Sequence, residues 1–272
     1  MAAYYNIIYP KNPIVARYVK YIWAMIGDEP DGNISLLPPI NDFDLVFSFQ
    51  AGVDWKIDNR IYSLDETFTA GPRIKPAYIN SKGVIHYLSV TFYPGMIYPF
   101  LGLPVSNLKH EPVELGLLPC PHLKNAPEMV WNAYELEEKA EIVEQIILKR
   151  LTEVKETDNL LLRRSIQLIQ NSEGRMSVNS VCEKTGVSSR KLERDFSKWV
   201  GVSPKQFIKI ERFNNVFTQI AKPEFDEDWF ELVLRYGYHD QSHLIHDFKS
   251  MMDQTPEEYL FNLRNHPEIF AS

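Results

Sequence analysis

Two arginines and one glutamate lie close together at the spacing that places side chains on one face of a helix. They are Arg190, Glu193 and Arg194, and helical residues three or four positions apart share a face. A guanidinium can donate two parallel hydrogen bonds to guanine O6 and N7, and a carboxylate can accept one from cytosine N4. The spacing therefore predicts a helix face that contacts base edges, and a solvated charged face is the simpler alternative.

The charge distribution places a basic segment in an acidic chain. The 272 residues carry a net charge of −7. Residues 184–212 hold eight basic and three acidic residues, a net +5, whereas residues 222–268 hold four basic and eleven acidic ones. Binding to phosphate depends on a local patch rather than on the mean charge. We therefore expect 184–212 to supply most of the affinity for a polyanion.

This segment is repeated about 50 residues later in the chain. The matching pairs are Gly186 and Gly237, which are 51 residues apart, and Leu192 and Leu244, Phe196 and Phe248, and Pro204 and Pro256, which are each 52 apart. Four anchors in one order, with one inserted residue, are not expected by chance. Each copy predicts a helix, a tight turn and a second helix, the arrangement in which the second helix occupies the DNA major groove.

Local signals mark the ends of these helices. Ser177 and Asp228 are predicted to cap the first helix of each copy, and Glu231 would complete a capping box with Asp228. A left-handed glycine would end each first helix. The second helices would be capped by Ser188 and Asp240. The residues predicted to close the two small cores are Val181, Leu192 and Phe196, and Leu232, Leu244 and Phe248.

Residues from about 160 to 265 resemble the DNA-binding domain of the AraC/XylS family of bacterial transcription regulators. The motifs that carry the resemblance are Gly186-Val-Ser, Leu192-Glu-Arg-Asp-Phe196, Gly201-Val-Ser-Pro204, Arg212 in the linker, Gly237-Tyr-His-Asp-Gln-Ser242, Phe248-Lys249 and Gln254-Thr-Pro-Glu-Glu-Tyr259. The resemblance implies double-stranded DNA and RNA polymerase as partners and no enzymatic activity. The chain departs from the pattern at Val233, where a smaller residue is usual, and at Asp253, where glycine is usual.

The repeat then predicts which side chains contact DNA. In the first copy they are Ser189, Arg190, Lys191, Glu193, Arg194 and Lys198, and in the second they are Gln241, Ser242, His243, His246 and Lys249. The lysines suit phosphates, and Gln241 suits a bidentate contact to adenine. Three aspartates of the second copy, Asp240, Asp247 and Asp253, would repel DNA unless protonated histidines offset them.

The first part of the chain differs from the second in its content of proline and glycine. Residues 1–159 hold 14 of the 18 prolines and 8 of the 12 glycines. Apolar residues alternate in two segments, which predicts half-buried antiparallel strands. Their inward positions are Phe43, Leu45, Phe47 and Phe49, and His86, Leu88, Val90 and Phe92. Strands followed by helices predict an α+β chain of two domains, a β-sandwich or barrel before an all-helical domain.

We place the domain boundaries where the proline and glycine content and the apolar pattern change. Residues 1–126 are the predicted β-rich effector-sensing domain, which loosely resembles the sensor domains of the same family. Residues 127–159 are an amphipathic helix and linker, and residues 160–272 are the DNA-binding domain. Within it, the helix-turn-helix units cover about 177–200 and 228–252, and the linker helix covers about 204–221. An apolar stripe along 129–147 either packs on its own domain or forms a homodimer contact.

A small-molecule effector would need a pocket in the first domain. His86 interrupts an apolar strand face, so it is either a satisfied core histidine or part of an effector pocket. Aromatic residues favour an apolar or amphipathic ligand. The candidate pocket residues are His86, Trp23, Phe47, Arg17 and Arg73.

Composition excludes several other classes. The sequence contains no membrane-length apolar run, and we expect no signal peptide. Cys120 and Cys182 alone predict neither a disulfide framework nor a thiolate zinc site. We expect a cytoplasmic protein without a metal or cofactor. The alternatives are an interaction protein with a degenerate helix-turn-helix domain and an enzyme with a helical accessory domain, but phosphate-loop, nucleophile-elbow and metalloprotease motifs are missing.

Overall fold

The computed structural model describes residues 4–28, 34–49, 52–108, 110–155, 157–222, 225 and 228–265. Within them, a β-rich N-terminal part precedes an all-helical C-terminal part, which confirms the predicted α+β class. The strands are β1 (Tyr4–Ile8), β2 (Val19–Asp28), β3 (Ile34–Leu37), β4 (Phe43–Ser48), β5 (Val53–Ile57), β6 (Arg60–Leu64), β7 (Phe68–Ala70), β8 (Ala77–Ser81), β9 (Val84–Phe92) and β10 (Val113–Glu114). The helices are α1 (Tyr98–Leu101), α2 (Ala126–Trp131), α3 (Leu136–Glu153), α4 (Leu160–Asn171), α5 (Val178–Thr185), α6 (Ser189–Trp199), α7 (Pro204–Ile220), α8 (Trp229–Tyr236), α9 (Gln241–Met252) and α10 (Pro256–Asn265).

The strands form two antiparallel sheets. The larger sheet has the order β1-β2-β9-β4-β7-β10, and the smaller has the order β3-β8-β5-β6. β9 is central in the larger sheet, where it pairs with β2 and β4. No helix in the described ranges is long and apolar enough to span a membrane.

The larger sheet is covered on both faces, which differs from the half-buried strands predicted. Phe43, Leu45 and Phe47 of β4 lie in one core with Val90 of β9 and residues of α1 and α3, as the alternation predicts. The opposite face is also buried, because the smaller sheet packs over it through a second core that includes Val46, Trp55, Phe68 and Tyr87. A strand buried on both faces loses the clean alternation of a half-exposed one.

The amphipathic helix predicted from residue 128 onward is interrupted, and its two pieces are α2 and α3. The apolar stripe of α3 is turned into its own domain, where Ala140, Val143 and Ile147 are 1–3% exposed. Met129 at the start of the predicted stripe is 46% exposed. The part of the stripe on α3 therefore packs within the chain.

The C-terminal part contains the two predicted helix-turn-helix units, α5–α6 and α8–α9, which α7 joins. The predicted caps are present: Ser177 Oγ accepts a hydrogen bond from Ser180 N at 3.1 Å, and Asp228 Oδ1 accepts one from Glu231 N at 2.9 Å. Gly186 and Gly237 end α5 and α8 with φ values of 70° and 68°. Glycine adopts this left-handed region at little cost.

Each unit has its own core, composed as the repeat predicts. In the first unit, Val181, Leu192 and Phe196 pack together with residues of α4. In the second unit, Leu232, Leu244 and Phe248 pack with residues of α7 and α10. Val233 is accommodated in this second core, and Asp253 ends α9 with a left-handed φ of 57°. Aspartate tolerates that conformation better than most residues.

Candidate nucleic-acid interface

The face of α6 that the sequence predicts to contact bases is open to solvent. Arg190, Glu193 and Arg194 are exposed, and so is Ser189 at the start of the helix. Leu192 and Phe196 on the opposite face are 1% and 0% exposed. Arg190 has no ion pair within the described residues, and Arg194 has a single distant one, from Nε to Asp195 Oδ1 at 3.7 Å. These guanidinium groups are therefore available to a ligand.

Lys191 has a different environment from the arginines. Its ammonium forms an ion pair with Asp195 one turn further along α6. Asp195 also accepts a hydrogen bond from Asn159 Nδ2 at 3.1 Å, and the same asparagine caps α4 through Leu162 N. Burial opposes ionisation of Asp195, but the hydrogen bonds from Lys191 and Asn159 outweigh it and lower its pKa. Asp195 thus pairs with Lys191 within α6 and also contacts the residue that caps α4.

Lys198, at the end of α6, lies against the N-terminal part. Its ammonium is 4.8 Å from the centre of the Tyr98 ring. The Tyr98 ring also packs against Trp199, with a centroid separation of 4.5 Å. A cation over an aromatic face is attracted by the ring quadrupole. A phosphate contact by Lys198 would compete with this interaction.

The corresponding face of α9 is also exposed. The five candidate residues, all of them exposed, are Gln241, Ser242, His243, His246 and Lys249. His243 is the most constrained: its ring packs edge-on against Tyr238 at 5.1 Å, and its Nε2 lies 3.8 Å from Asp247 Oδ2.

Each of the three aspartates expected to repel DNA in the second unit has a structural partner. Asp240 Oδ1 caps α9 by accepting from His243 N at 2.8 Å. Asp247 is buried, and its Oδ1 lies 3.1 Å from Lys209 Nζ of α7. Asp253 Oδ1 lies 3.7 Å from Lys75 Nζ. Lys209 and Lys75 were not singled out by sequence, because they lie far from the aspartates along the chain.

Arg212 of α7 contacts both the connection from α4 to α5 and the second unit. Its Nε donates a hydrogen bond to the carbonyl of Gly174, just after α4, at 3.0 Å. Its guanidinium also lies 5.4 Å from the centre of the Tyr238 ring, in the turn of the second unit. One side chain on the linker helix therefore contacts elements on both sides of it.

The N-terminal part contacts α7 directly through a side chain that the sequence did not reveal. Asn41 is buried, and its Nδ2 donates hydrogen bonds to the Phe207 carbonyl at 3.1 Å and to Glu211 Oε1 at 2.8 Å. Burial raises the pKa of Glu211, and the hydrogen bond from Asn41 only partly opposes that effect. The N-terminal part and α7 thus share a buried polar contact.

The five candidate effector residues do not form one pocket. His86 contacts the rings of Phe49 and Trp131, at centroid distances of 5.1 and 5.6 Å. Phe47 lies in the core between the larger sheet and the helices, against which Phe49 packs. It is only 1% exposed, so it does not face a pocket. Trp23 alternates with Ile22 and Ala24 of β2, which belong to that core, and therefore lies on the other face of the strand.

The two arginines of that candidate set contact other residues than those around His86. Arg73 is buried, donates from Nε to the Pro38 carbonyl at 3.3 Å, and lies 5.5 Å from the Trp55 ring centre. Burial lowers the pKa of Arg73, and the nearby carboxylate of Asp44 partly opposes this. Arg17 is exposed and lies 3.4 Å from Asp158.

Among the described residues there is no group of three or more histidine, cysteine, aspartate or glutamate side chains that could hold a metal ion.

Two capped helix-turn-helix units on a shared linker helix, preceded by a β-sandwich, define a two-domain DNA-binding protein. The model of a helix-turn-helix domain family matches residues 181–261, and that of a domain of unknown function, DUF6597, matches residues 8–114. The multiple antibiotic resistance protein MarA of Escherichia coli (strain K12) is 30% identical over 104 residues, which cover 38% of this chain and 80% of MarA. MarA of Salmonella typhimurium gives the same values. The chain belongs to the AraC family of DNA-binding transcription regulators.

Solved structures of ToxT from Vibrio cholerae are similar in fold across both domains. One has a TM-score of 0.50 and 17% identity, and covers 88% of this chain and 98% of ToxT. A second, with ToxT from strain O395 bound to (E)-4-(8-methylnaphthalen-1-yl)but-3-enoic acid, also has a TM-score of 0.50 and 17% identity, and covers 89% and 99% of the two chains. At this identity the likeness establishes the two-domain fold alone.

Proposed function

We propose that this regulator binds its operator through both units, with α6 and α9 in successive major grooves on one face of the duplex. Such grooves are roughly one helical turn, ~34 Å, apart. The observation that carries the proposal is the α6 face, where Arg190, Glu193 and Arg194 are exposed while the apolar face behind them is fully buried. In this arrangement the two arginines contact guanines and Glu193 accepts from a cytosine.

The second unit would contribute through Gln241 and Lys249, which suit an adenine and a phosphate respectively. Because Asp247 and Asp253 each have a lysine within 4 Å, their charges oppose DNA less than the sequence implies. Ser242, His243 and His246 complete this contact surface. We expect α6 to supply the larger share of the affinity, since α9 carries fewer cations.

The N-terminal part would modulate DNA binding, in response to a small molecule or through dimerisation. Its contacts with α6, through Tyr98, and with α7, through Asn41, support this role. The small organic acid bound in a ToxT structure of the same fold agrees with an effector. The exposed surface of α2 and α3 within 129–147 is the candidate homodimer contact, and RNA polymerase in the cytoplasm is the expected downstream partner.

The proposal is tested by selecting bound sequences from random duplex DNA with the full-length protein. Enriched sequences should contain two boxes about one helical turn apart. Affinity for them should fall steeply with salt, about 10³-fold between roughly 50 and 200 mM for ~6 phosphate contacts. The absence of an enriched sequence, or binding that ignores salt, would leave an interaction protein with a degenerate helix-turn-helix domain as the better description.

A further inference from the structure

A cleft of about 420 Å³ lies between the larger sheet and the connection from α2 to α3. It is distinct from the core between the two sheets, because its floor is the helix-facing side of β2 and β9. Residues around it include Ala24, Phe49, His86, Leu88, Tyr134 and Lys139. Its lining is mixed, with apolar side chains beside polar and charged ones, and its volume lies in the range of small-molecule sites.

The ammonium of Lys139 lines this cleft, but its hydrogen bonds are already used. Its Nζ donates to the carbonyls of Val130, Trp131 and Ala133, at 2.8, 3.3 and 2.6 Å. A lysine ammonium has three donors. An anionic ligand could gain a hydrogen bond from Lys139 only by releasing the end of α2. The role of Lys139 is therefore to hold the wall of the cleft in place.

The imidazole of His86 also lines the cleft, and its hydrogen-bonding atoms remain available. Its ring contacts are aromatic, with Phe49 at 5.1 Å and Trp131 at 5.6 Å, and it makes no hydrogen bond to another described residue. Burial lowers the pKa of His86, and the positive charge of Lys139 lowers it further. A neutral imidazole offers one donor and one acceptor. A bound ring with an N–H group could thus donate to it.

Two carboxylates at the start of α3 line the mouth of the cleft. Glu135 and Glu137 both line it, both are exposed, and neither forms an ion pair within the described part of the chain. Tyr134 beside them is 93% exposed. Negative charge at the mouth attracts a cation and opposes an anion, whereas the Lys139 ammonium keeps a cation away from the interior. A cationic group is therefore favoured at the mouth and an uncharged body inside.

We propose that this cleft binds a small aromatic amine, with its ring system against Phe49 and His86 and its ammonium beside Glu135 and Glu137. An effector role for such a ligand rests on the proposed regulatory function. The binding event itself does not, because it is measured without DNA. Failure of the site and failure of DNA recognition are therefore separate results.

The test uses three compounds with one ring system and different charges: tryptamine, 3-ethylindole and indole-3-propionate. Each is titrated calorimetrically into the full-length protein. Tryptamine should bind saturably and most tightly. 3-Ethylindole should bind about five-fold more weakly, because it lacks the ammonium that lies beside Glu135 and Glu137, and indole-3-propionate should bind most weakly. Absence of saturable tryptamine binding, or equal binding of the acid, would overturn the proposal.

Two variants locate the site. Glu137→Gln should weaken tryptamine about five-fold and leave 3-ethylindole unchanged, while Glu128→Gln, which removes a carboxylate from the exposed surface of α2, should change neither. Ile26→Trp should weaken both compounds by filling the cleft, and Ile26 is 45% exposed, so the fold should tolerate it. If tryptamine binds both variants as it binds the parent protein, its site lies elsewhere and the proposal fails.

Discussion

Single side chains on α6 divide into those that hold the fold and those that are free for a ligand. Lys191 is paired with Asp195, and Lys198 lies over the Tyr98 ring. Arg190 and Arg194 are exposed and have at most one distant partner in the described structure. An arginine is also better suited than a lysine to planar bidentate recognition. Sequence readout by α6 should therefore depend on the two arginines.

Replacing Arg194 with alanine should weaken operator binding by ~1–3 kcal/mol, the cost expected for losing a bidentate base contact. Arg194→Lys should recover only part of it, because lysine keeps the charge but not the planar fork. Band-shift titrations on operator and unrelated DNA measure both effects. Lys149→Ala, on the exposed side of α3, controls for net charge. An equal loss on unrelated DNA would instead indicate a phosphate contact.

The α6 face could be predicted from sequence because helix periodicity alone defines it. The surroundings of His86 could not, since Phe49 and Lys139 reach it from distant parts of the chain. Nothing in the spacing of Trp23, Arg17 or Arg73 shows that they lie away from His86, in other parts of the domain. Residues that depend on one element are predictable from that element, and pockets assembled from several are not.

At the scale of elements, helix ends that depend on local residues were predicted from the sequence. The end of α2, which involves a contact from another helix, was not. The caps and glycine stops of α5, α6, α8 and α9 depend on residues within one turn, so their chemistry is visible in the sequence. The break between α2 and α3 is spanned by Lys139, whose Nζ donates to the carbonyls of Val130 and Trp131 in α2 and of Ala133 just after it. A helical pattern through residues 128–151 contains no signal for that contact.

Asp240 allows the capping and charge effects of the second unit to be separated. Asp240→Asn should keep the cap, because the amide oxygen can accept from His243 N, and should raise DNA affinity by removing an exposed negative charge. Asp240→Ala should raise affinity similarly but lower the free energy of unfolding by ~1 kcal/mol, because the cap is lost. Urea unfolding and band-shift titration of both variants provide the comparison. Equal stability of the two variants would mean that the cap contributes little.

At the scale of the whole molecule, the N-terminal part is packed against both DNA-binding units. Leu36 lies in the core of the second unit, and Tyr98 packs on Trp199 of the first. Asn41 is bonded to the helix between them. These residues resemble ordinary core residues of the β-domain in the sequence, so the interface could not be predicted. The N-terminal part therefore contacts the first unit, the second unit and the helix that joins them.

The half-buried carboxyl of Glu211 makes this interface sensitive to pH. Burial raises its pKa above the ordinary value of 4.5. The folded state then holds the proton more tightly than the unfolded state, so the contribution of Glu211 to stability is greatest below about pH 4.5 and is lost as the pH rises through the raised value.

Glu211→Gln mimics the protonated acid and still accepts the hydrogen bond from Asn41. It should therefore be more stable than the parent protein at about pH 8, and the difference should shrink towards about pH 4.5. Urea unfolding followed by circular dichroism across this range measures the effect, with Glu128→Gln on α2 as the exposed control. A variant that is less stable at every pH would show that the charged carboxylate stabilises the interface, and that the Asn41 contact depends on that charge.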